Sequence, residues 1–470
     1  MEMSAAASSP RLEVDLDLLK KYNRPGPRYT SYPTAPHFHE GFGPDEYRRE
    51  ILATNSGETP RDLSLYFHFP FCKSLCYFCA CNVVITKDAS RVGHYLGVLK
   101  KEIDLVANLV DPRRKVIQMH WGGGTPTYMS PDQIRDIFGT IRGKFPFAAD
   151  AEISIEIDPR TITPEHLPAL REAGFNRVSF GLQDVNPEVQ TTINRIQTDE
   201  QNAFVIDESR RLGFDSINVD LIYGLPHQTV DSYERTLEKI IAWNPDRLAV
   251  FNYAHVPWLK KHQKLLPVES MPDASGRLRM LKLIIDRLTE AGYAYIGMDH
   301  FAKPGDELTK ALRERTLHRN FQGYSTRAEA DMFAMGVTSI SKLSGAYAQN
   351  LKSLAAYEAA LDEGRLPTSI GLKLSHDDLL RQHVITEIMC NNRILKRDVE
   401  QKFGIAFDSY FADVPEKLNE FALDGLVSLQ PDRIEVGEAG RLVIRNIAMA
   451  FDAYIKPEAA LEKPIYSRTV

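Results

Sequence analysis

The sequence predicts an α/β fold in which six β/α units form a parallel sheet, between an N-terminal arm and a mostly helical C-terminal domain. Three observations support this prediction. Apolar, β-rich runs alternate with helix-like segments between residues 63 and 253, polar and glycine-rich residues follow the runs, and helices dominate from about Leu374. Six units are too few for a closed eight-stranded barrel, so a partial, open barrel fits, although a doubly wound sheet would give the same pattern.

The strand-like runs cover residues 63–69, 116–121, 152–157, 177–182, 216–222 and 247–253. Helix-like segments lie between them at residues 94–109, 131–141, 164–173, 202–212 and 230–241. Strands that alternate with helices in this way are typical of a parallel sheet. Beyond the sixth run we predict an amphipathic helix over residues 277–291 and a strand over residues 293–298.

A chain of 470 residues is long enough for two or three units. We predict an arm over residues 1–60, a barrel with an extension over residues 61–372, and a C-terminal domain over residues 373–470. Proline-rich residues 24–34 predict extended chain in the arm. We favour a surface position for Arg24 and Arg28 there, the alternative being contact with an anion at a site mouth.

The predicted C-terminal domain pairs helices over residues 377–390, 396–403 and 415–424 with a hairpin over residues 426–444. This order resembles a small winged-helix domain, but its mixed charge favours a covering domain over a DNA-binding one. Cys390 lies among apolar neighbours on the first of these helices, which predicts a packed core thiol. The polar and aromatic connector at residues 318–324 is either a surface loop or a wall near the site mouth.

Composition argues against several classes of protein. The net charge of −6 argues against general nucleic-acid binding, and no apolar run of 18 residues is present to span a membrane. Residues 1–10 lack the apolar core of a secretory signal. Clustered cysteines without an export signal predict a reducing, cytoplasmic setting.

Four of the five cysteines lie on one short loop after the first strand-like run. Cys72, Cys76, Cys79 and Cys81 follow the spacing C-x3-C-x2-C-x-C, and Cys390 is far away. Cysteines this close can direct several thiolates at one point, which favours a metal centre over a disulfide framework. Structural zinc usually takes two separated pairs of ligands, and no second pair is present.

Iron–sulfur clusters are held by thiolates at short, irregular spacings, so the loop favours a cluster. The C-x3-C-x2-C set would supply three ligands and leave one iron of a four-iron cluster open to bind a substrate or cofactor. This spacing, followed by a partial-barrel pattern, resembles the radical S-adenosylmethionine superfamily.

Polar residues gather where the predicted strands end. Gly122-Gly123-Gly124-Thr125-Pro126 follows the second run, and Glu156, Gln183 and Asp220 lie at the ends of the next three. Ligands bind at the carboxyl ends of strands in parallel α/β folds. A glycine run lets backbone N–H groups approach a ligand closely. Alone, each feature is more often a turn, a cap or an ion-pair partner, and only their shared position favours a site.

Longer motifs carry a closer resemblance. They are PRYTSYPTA in the arm, YFHFPFCKSLCYFCACN around the cysteines, HWGGGTPT, NVDLIYGLP, FNYAH, GMDHFA, HRNFQGY and the terminal Ser467-Arg468. Together they resemble the oxygen-independent coproporphyrinogen III oxidase family, over nearly the whole chain from Tyr22. The related haem chaperones generally lack the fourth cysteine, here Cys81, and the proline-rich arm.

The resemblance implies a partial (β/α)6 radical-SAM barrel in which Cys72, Cys76 and Cys79 bind a [4Fe–4S] cluster and Cys81 is required without binding it. It also implies two molecules of S-adenosylmethionine. Their contacts, carried over position by position, fall on Tyr66, Phe78, Gly123, Gly124, Thr125, Glu156, Gln183, Arg195, Asp220, Ala254 and Ile340.

The implied activity is oxidative decarboxylation of two propionates of coproporphyrinogen III to vinyl groups, giving protoporphyrinogen IX in haem biosynthesis. Such an enzyme needs a low-potential electron donor of the flavodoxin or ferredoxin kind, and we expect a monomer. The propionates should meet arginine or lysine side chains. Two alternatives stay open: a haem chaperone on the same scaffold, and a non-catalytic metal-binding module.

Overall fold

The computed structural model describes residues 12–328, 330–455 and 466–469, and it contains one large sheet. In chain order the strands of this sheet are β1 Leu63–Phe69, β2 Val116–Gly123, β3 Phe147–Ile157, β4 Arg177–Gln183, β5 Ser216–Tyr223, β6 Arg247–Asn252, β7 Ala294–Gly297, β8 His300–Ala302, β9 Asp331–Met335, β10 Ile340–Lys342, β11 Ala346–Asn350 and β12 Thr368–Lys373. Their spatial order is β12-β11-β10-β9-β1-β2-β3-β4-β5-β6-β8-β7.

Strands β1 to β6 are parallel neighbours in their order along the chain. A doubly wound sheet would reverse its strand order at one point, and this one does not, so the partial barrel is confirmed. The six predicted runs are confirmed as well; the third is the second half of a longer strand, Phe147–Ile157.

The sheet extends beyond the six predicted strands on both sides. Strand β9 pairs in parallel with β1, β10 to β12 continue antiparallel, and β8 runs antiparallel to β6. Of these six flanking strands the sequence predicted only β7. Strand β9 is buried along its whole length, and β8 and β10 have three residues each, so these strands do not show the alternation that marks a strand in sequence.

Helices cover the outside of the barrel. Those after β1 to β6 are Ala89–Ala107, Pro131–Lys144, His166–Ala173, Asp199–Arg211, Val230–Trp243 and Ala274–Glu290. The remaining α-helices are Leu16–Tyr22, Pro44–Thr54, Pro187–Thr192, Glu307–Glu314, Leu354–Asp362, His376–Thr386, Lys396–Phe403, Phe407–Tyr410, Val414–Leu423 and Ile444–Ala448. The barrel helices pack on an aromatic core that includes Trp121 and Phe175, whose ring centroids lie 4.8 Å apart.

The C-terminal part joins its helices to a three-stranded sheet of Arg393–Leu395, Arg433–Val436 and Val427–Leu429. The predicted hairpin over 426–444 is too long: it ends at Val436, and residues 439–451 are helical. Their buried positions, which include Val443, Ile444 and Ile447, recur at helical spacing. Cys390 is buried in the core, as predicted.

The arm is held between the barrel and the C-terminal helices. Tyr22 stacks on Phe421 with ring centroids 4.5 Å apart, and its hydroxyl donates to Asp424 at 2.6 Å. The Tyr29 hydroxyl donates to Asp452 at 2.9 Å. Residues 1–11 of the predicted arm, including the stretch judged not to be a secretory signal, lie outside the described residues. No helix in the described ranges is long and apolar enough to cross a membrane.

The buried pair of Arg114 and Asp331 joins β9 to the barrel. Their side chains are 0% and 2% exposed, and the Arg114 guanidinium donates to Asp331 at 2.6 Å and to the Arg61 carbonyl at 2.6 Å. Because Asp331 opens β9 and Arg114 precedes β2, the pair holds the added strand beside β1.

We therefore expect Arg114→Ala to destabilise the protein by about 3 to 5 kcal/mol, since it leaves the Asp331 carboxylate buried without its partner. The adjacent Arg113→Ala breaks an exposed pair with Asp111 and a long hydrogen bond to the Glu58 carbonyl at 3.4 Å, so this matched control should change little. Urea unfolding monitored by circular dichroism measures both, and equal losses would show that the buried pair does not hold the strand.

Candidate functional site

The cysteine loop is attached to the barrel at both ends and in the middle. A two-residue parallel bridge joins Phe71–Cys72 to Val84–Ile85 and closes the loop. Within it, the Tyr77 N–H donates to the Ile193 carbonyl at 3.0 Å, and the Asn194 side chain donates to the Leu75 carbonyl at 2.8 Å. The thiols therefore have defined positions at the carboxyl edge of the sheet.

The segment after β6 holds the second half of the loop. Lys260 donates to the Cys81 carbonyl at 2.8 Å, and His262 donates to the Cys79 carbonyl at 2.7 Å. Gln263 is fully buried and donates to the carbonyls of Phe78 at 2.9 Å and Ala254 at 3.3 Å. Sequence reasoning missed these three residues, because nothing in a polar loop indicates which distant carbonyls its side chains will reach.

Two guanidinium groups reach the sulfur of Cys76. Arg160 donates to Cys76 Sγ at 3.4 Å and Arg195 at 3.6 Å. Both also contact Asp158, at 2.7 Å and 3.1 Å. Burial opposes ionisation of Asp158, but the two arginines outweigh it and lower the pKa of this carboxyl. The carboxylate therefore positions two cations against one thiol, which is the setting that stabilises a thiolate.

The thiols differ in how readily they ionise. Burial raises the pKa of Cys72 to about 11, and its sulfur lies 3.3 Å from the hydroxyl of Thr125. A hydrogen bond from the Cys81 thiol lowers the pKa of Cys79 to about 7, aided by the positive charges of Lys260 and Arg195. The same hydrogen bond, with burial, raises the pKa of Cys81.

The glycine run after β2 forms a close turn against the cysteine loop. Gly124 N–H donates to the Phe69 carbonyl at 2.8 Å, and a Cβ at Gly124 would lie 2.7 Å from the Pro70 backbone. Gly123 has φ +113°, and a Cβ there would lie 2.6 Å from the His68 ring. Only glycine fits at either position, so the run serves close backbone approach and is more than an ordinary turn.

Two carboxylates face the cavity from β3 and β5, the strands on either side of β4. Burial opposes ionisation of Glu156, but His120 at 3.3 Å and the Gly123 N–H at 3.1 Å lower its pKa below the ordinary value. Its side chain is 45% exposed to the cavity. Burial and the nearby Glu156 charge raise the pKa of Asp220 to about 6, against hydrogen bonds from Asn218 and Ser179. The pair gives this end of the cavity a negative charge suited to a cation.

Most of the predicted site residues line one cavity of about 320 Å³. These are Cys72, Cys76, Cys79, Cys81, Phe78, Gly123, Gly124, Thr125, Glu156, Gln183, Arg195 and Asp220. Gln183, at the end of β4, has φ +68°, a rare conformation for a residue with a side chain.

Three predicted residues lie outside this lining. Tyr66 lies on β1 beneath the residues that line the cavity. Its hydroxyl lies 3.1 Å from His68 and its ring stacks on His120. Ile340 packs in a separate apolar cluster with Tyr347. Ala254 lines a second cavity next to the first.

The donor set fits an iron–sulfur cluster. Three free thiols, Cys72, Cys76 and Cys79, line the cavity with two N–H donors facing Cys76. Among the described residues, no three His, Cys, Asp or Glu side chains come close enough to hold a single metal ion. Each thiolate of a cluster binds a different iron atom, so its ligands stand farther apart than those of a zinc ion.

Comparison with known proteins agrees with this chemistry. The family model of the Radical SAM superfamily matches residues 66–240, and that of the HemN C-terminal domain matches residues 374–443. The oxygen-independent coproporphyrinogen III oxidase of Synechocystis sp. is 47% identical over 98% of this chain and 99% of its own length. That of Pseudomonas aeruginosa is 44% identical over 97% of this chain and 98% of its own.

A solved structure agrees as well. The coproporphyrinogen III oxidase of Escherichia coli, described as a radical SAM enzyme, superposes with a TM-score of 0.90 at 45% identity, over 95% of this chain and 100% of that one. Identity at this level over nearly full length extends from the cysteine loop to the C-terminal helices. The chain therefore belongs to the oxygen-independent coproporphyrinogen III oxidase family of the radical SAM superfamily.

Proposed function

We propose that this protein converts coproporphyrinogen III to protoporphyrinogen IX without oxygen, by oxidative decarboxylation of two propionates, in porphyrin biosynthesis. One observation carries the proposal. The cavity that gathers three free thiols, a glycine turn and two carboxylates belongs to a chain 47% identical, over 98% of its length, to an oxygen-independent coproporphyrinogen III oxidase.

Membership of the superfamily implies a [4Fe–4S] cluster and S-adenosylmethionine. We assign the cluster to Cys72, Cys76 and Cys79, which leaves one iron without a protein ligand. Bound together, the two cofactors supply one-electron chemistry: reductive cleavage of a carbon–sulfur bond, which yields a carbon radical able to take a hydrogen atom from a propionate. Arg160 and Arg195 would offset the negative charge of the Cys76 thiolate with a cluster bound there.

The rest of the cavity holds and orients S-adenosylmethionine. The carboxylates of Glu156 and Asp220 suit its amino and sulfonium charges, and the turn at Gly123 and Gly124 brings backbone close to the ligand. Further contacts are assigned to Tyr66, Phe78, Thr125, Gln183, Arg195, Ala254 and Ile340. The proposal of a second S-adenosylmethionine molecule rests on the family resemblance, and its assigned contact Ala254 lies on the segment after β6 between the two cavities.

We assign Cys81 a role in turnover but none in binding the cluster. Its thiol lines the cavity together with that of Cys79, so it can present a proton or hydrogen atom there. Electrons would come from a flavodoxin- or ferredoxin-like protein. We further propose that the enzyme acts as a monomer, in a reducing cytoplasm where its five free thiols persist.

The activity is tested without air, with reconstituted protein, S-adenosylmethionine, a reductant and coproporphyrinogen III. We expect protoporphyrinogen IX and 5′-deoxyadenosine, followed together by chromatography. Protein that carries its cluster but forms no decarboxylated product would contradict the proposal. A stable haem complex without turnover would favour the chaperone instead, and zinc without iron would favour a structural metal module.

The two cysteine roles separate in paired serine variants. We expect Cys76→Ser to lose the cluster, measured as iron and sulfide content and visible absorbance. Cys81→Ser should keep the cluster and lose turnover, since only the cavity-facing donor is removed. Equal loss of iron in the two variants would show that the ligands are misassigned.

Binding of S-adenosylmethionine should depend on the ionisation of Asp220. Because burial raises the pKa of this carboxyl to about 6, it is mostly neutral below that pH and mostly charged above it. A cation should therefore bind about fourfold more tightly near pH 7.5 than near pH 5.5. Calorimetry on cluster-loaded protein measures this change, and Asp220→Asn should remove it. An equally steep pH dependence in that variant would assign the effect to another group.

A further inference from the structure

A second cavity of about 400 Å³ lies beside the first, and its charged residues are mostly positive. It is enclosed by the ends of β5 and β6, the helix Ala274–Glu290, the arm and the last described residues of the chain. Its charged lining residues are five arginines, Arg28, Arg277, Arg441, Arg445 and Arg468, and one acid, Asp299. In a chain with a net charge of −6, this concentration of positive charge is local and specific.

Three of the five arginines have no carboxylate partner among the described residues, while Arg441 pairs with Glu438 at 2.8 Å outside the lining. Arg28 forms an ion pair with Asp299, the single carboxylate in the lining. Arg445 donates to backbone carbonyls, those of Pro27 at 2.8 Å and Arg468 at 2.9 Å. Burial lowers its pKa to about 9. The guanidinium of Arg277 takes part in none of the hydrogen bonds or ion pairs formed among the described residues, so it is free to bind a ligand.

A buried arginine next to this cavity also lacks a partner. Arg319 is 7% exposed, and its Nε and Nη1 atoms have no hydrogen-bond partner within the described parts of the chain. It lies close enough to Arg445 for their charges to repel. It belongs to the connector at residues 318–324, which is a buried hairpin of His318–Asn320 and Gly323–Ser325 and not a surface loop. Unpaired buried guanidinium groups are costly unless an anion completes them.

One part of the cavity wall is apolar. Leu278 and Leu281 face it from the helix Ala274–Glu290, and Trp258 and Leu259 line its rim while remaining 54% and 71% exposed. A ligand that matches both halves of this lining has a large apolar body and several acidic groups at its edge. A nucleotide or a small dicarboxylate would leave the apolar wall uncovered.

We propose that this second cavity binds the carboxylates of the tetrapyrrole, with Arg277 as the residue that takes one of them directly. The inference rests on the proposed function and adds the residues that hold the substrate. A planar guanidinium pairs with a carboxylate through two parallel hydrogen bonds. Ala254 lines this cavity, and the Gln263 side chain donates to the carbonyls of both Ala254 and Phe78, which belongs to the cysteine loop. The bound macrocycle would therefore lie beside the cavity assigned to S-adenosylmethionine.

Arg28 also belongs to this site, and it is not the surface residue that the sequence favoured. Its pairing with Asp299 keeps it in place before a ligand arrives, and its guanidinium lies over the ring of Phe251 at 6.0 Å. Arg24, the other arginine considered in the arm, is absent from the cavity lining in the described chain. The arm therefore supplies one of the five cations.

The test is calorimetric binding of coproporphyrin III, the air-stable four-carboxylate form of the substrate, to the full-length, cluster-loaded protein. We expect Arg277→Ala to weaken binding by about tenfold or more. Arg277→Lys should lie between that variant and the wild type, because it keeps the charge but loses the paired hydrogen bonds. Arg279→Ala is the matched control: Arg279 is exposed on the same helix, bonds Ser275 at 2.8 Å and should bind normally when replaced.

Equal affinity in Arg277→Ala and Arg279→Ala would overturn the assignment, as would wild-type protein that does not bind coproporphyrin III. Protoporphyrin IX, with two carboxylates fewer, should bind more weakly to the wild type and lose less affinity in Arg277→Ala. Failure of the proposed function gives a different result: no decarboxylation by the wild type, with binding of coproporphyrin III still dependent on Arg277.

Discussion

Three thiols gathered at one edge of a sheet are stable as thiolates only where positive charge or N–H donors face them. Here Asp158 holds Arg160 and Arg195 against Cys76, and the hydrogen bond from Cys81 makes Cys79 the more acidic thiol of its pair. The rest of the site depends on this arrangement, because the same arginines connect the cysteine loop to the ends of β3 and β4. Without these two guanidinium groups, the negative charge of a Cys76 thiolate would have no cation beside it.

The two cavities divide the charge of the protein between two kinds of ligand. Glu156 and Asp220 place negative charge at one end of the first cavity, which suits a sulfonium cofactor, and the arginines make the second positive, which suits a polycarboxylate. Their boundary is the segment after β6, where Gln263 contacts the carbonyls of both Phe78 and Ala254. In this arrangement the cofactor and the substrate would lie on opposite sides of that segment.

Much of the barrel could be predicted from sequence because its signals are local. The alternation of apolar runs and helices located β1 to β6, and the cysteine spacing with the glycine run identified the edge where the site lies. The flanking strands β8 to β12 were not predicted, since short or wholly buried strands show no alternation. The predicted hairpin over 426–444 was too long because its last residues, Val443 and Ile444, are apolar and fit a strand as well as the helix that they form.

By itself, the sequence determined which chemistry is possible: three cysteines in a C-x3-C-x2-C loop, a fourth beside them, and a glycine turn to approach a ligand. Only the tertiary structure decided which distant groups serve that chemistry. Arg277 and Arg445 are 168 positions apart in the sequence, yet both line one cavity. The side chains of Lys260, His262 and Gln263, which follow β6, bind carbonyls of the cysteine loop, which follows β1. Spacing along the chain records local geometry, whereas charge compensation depends on which strand ends meet at one edge of the sheet.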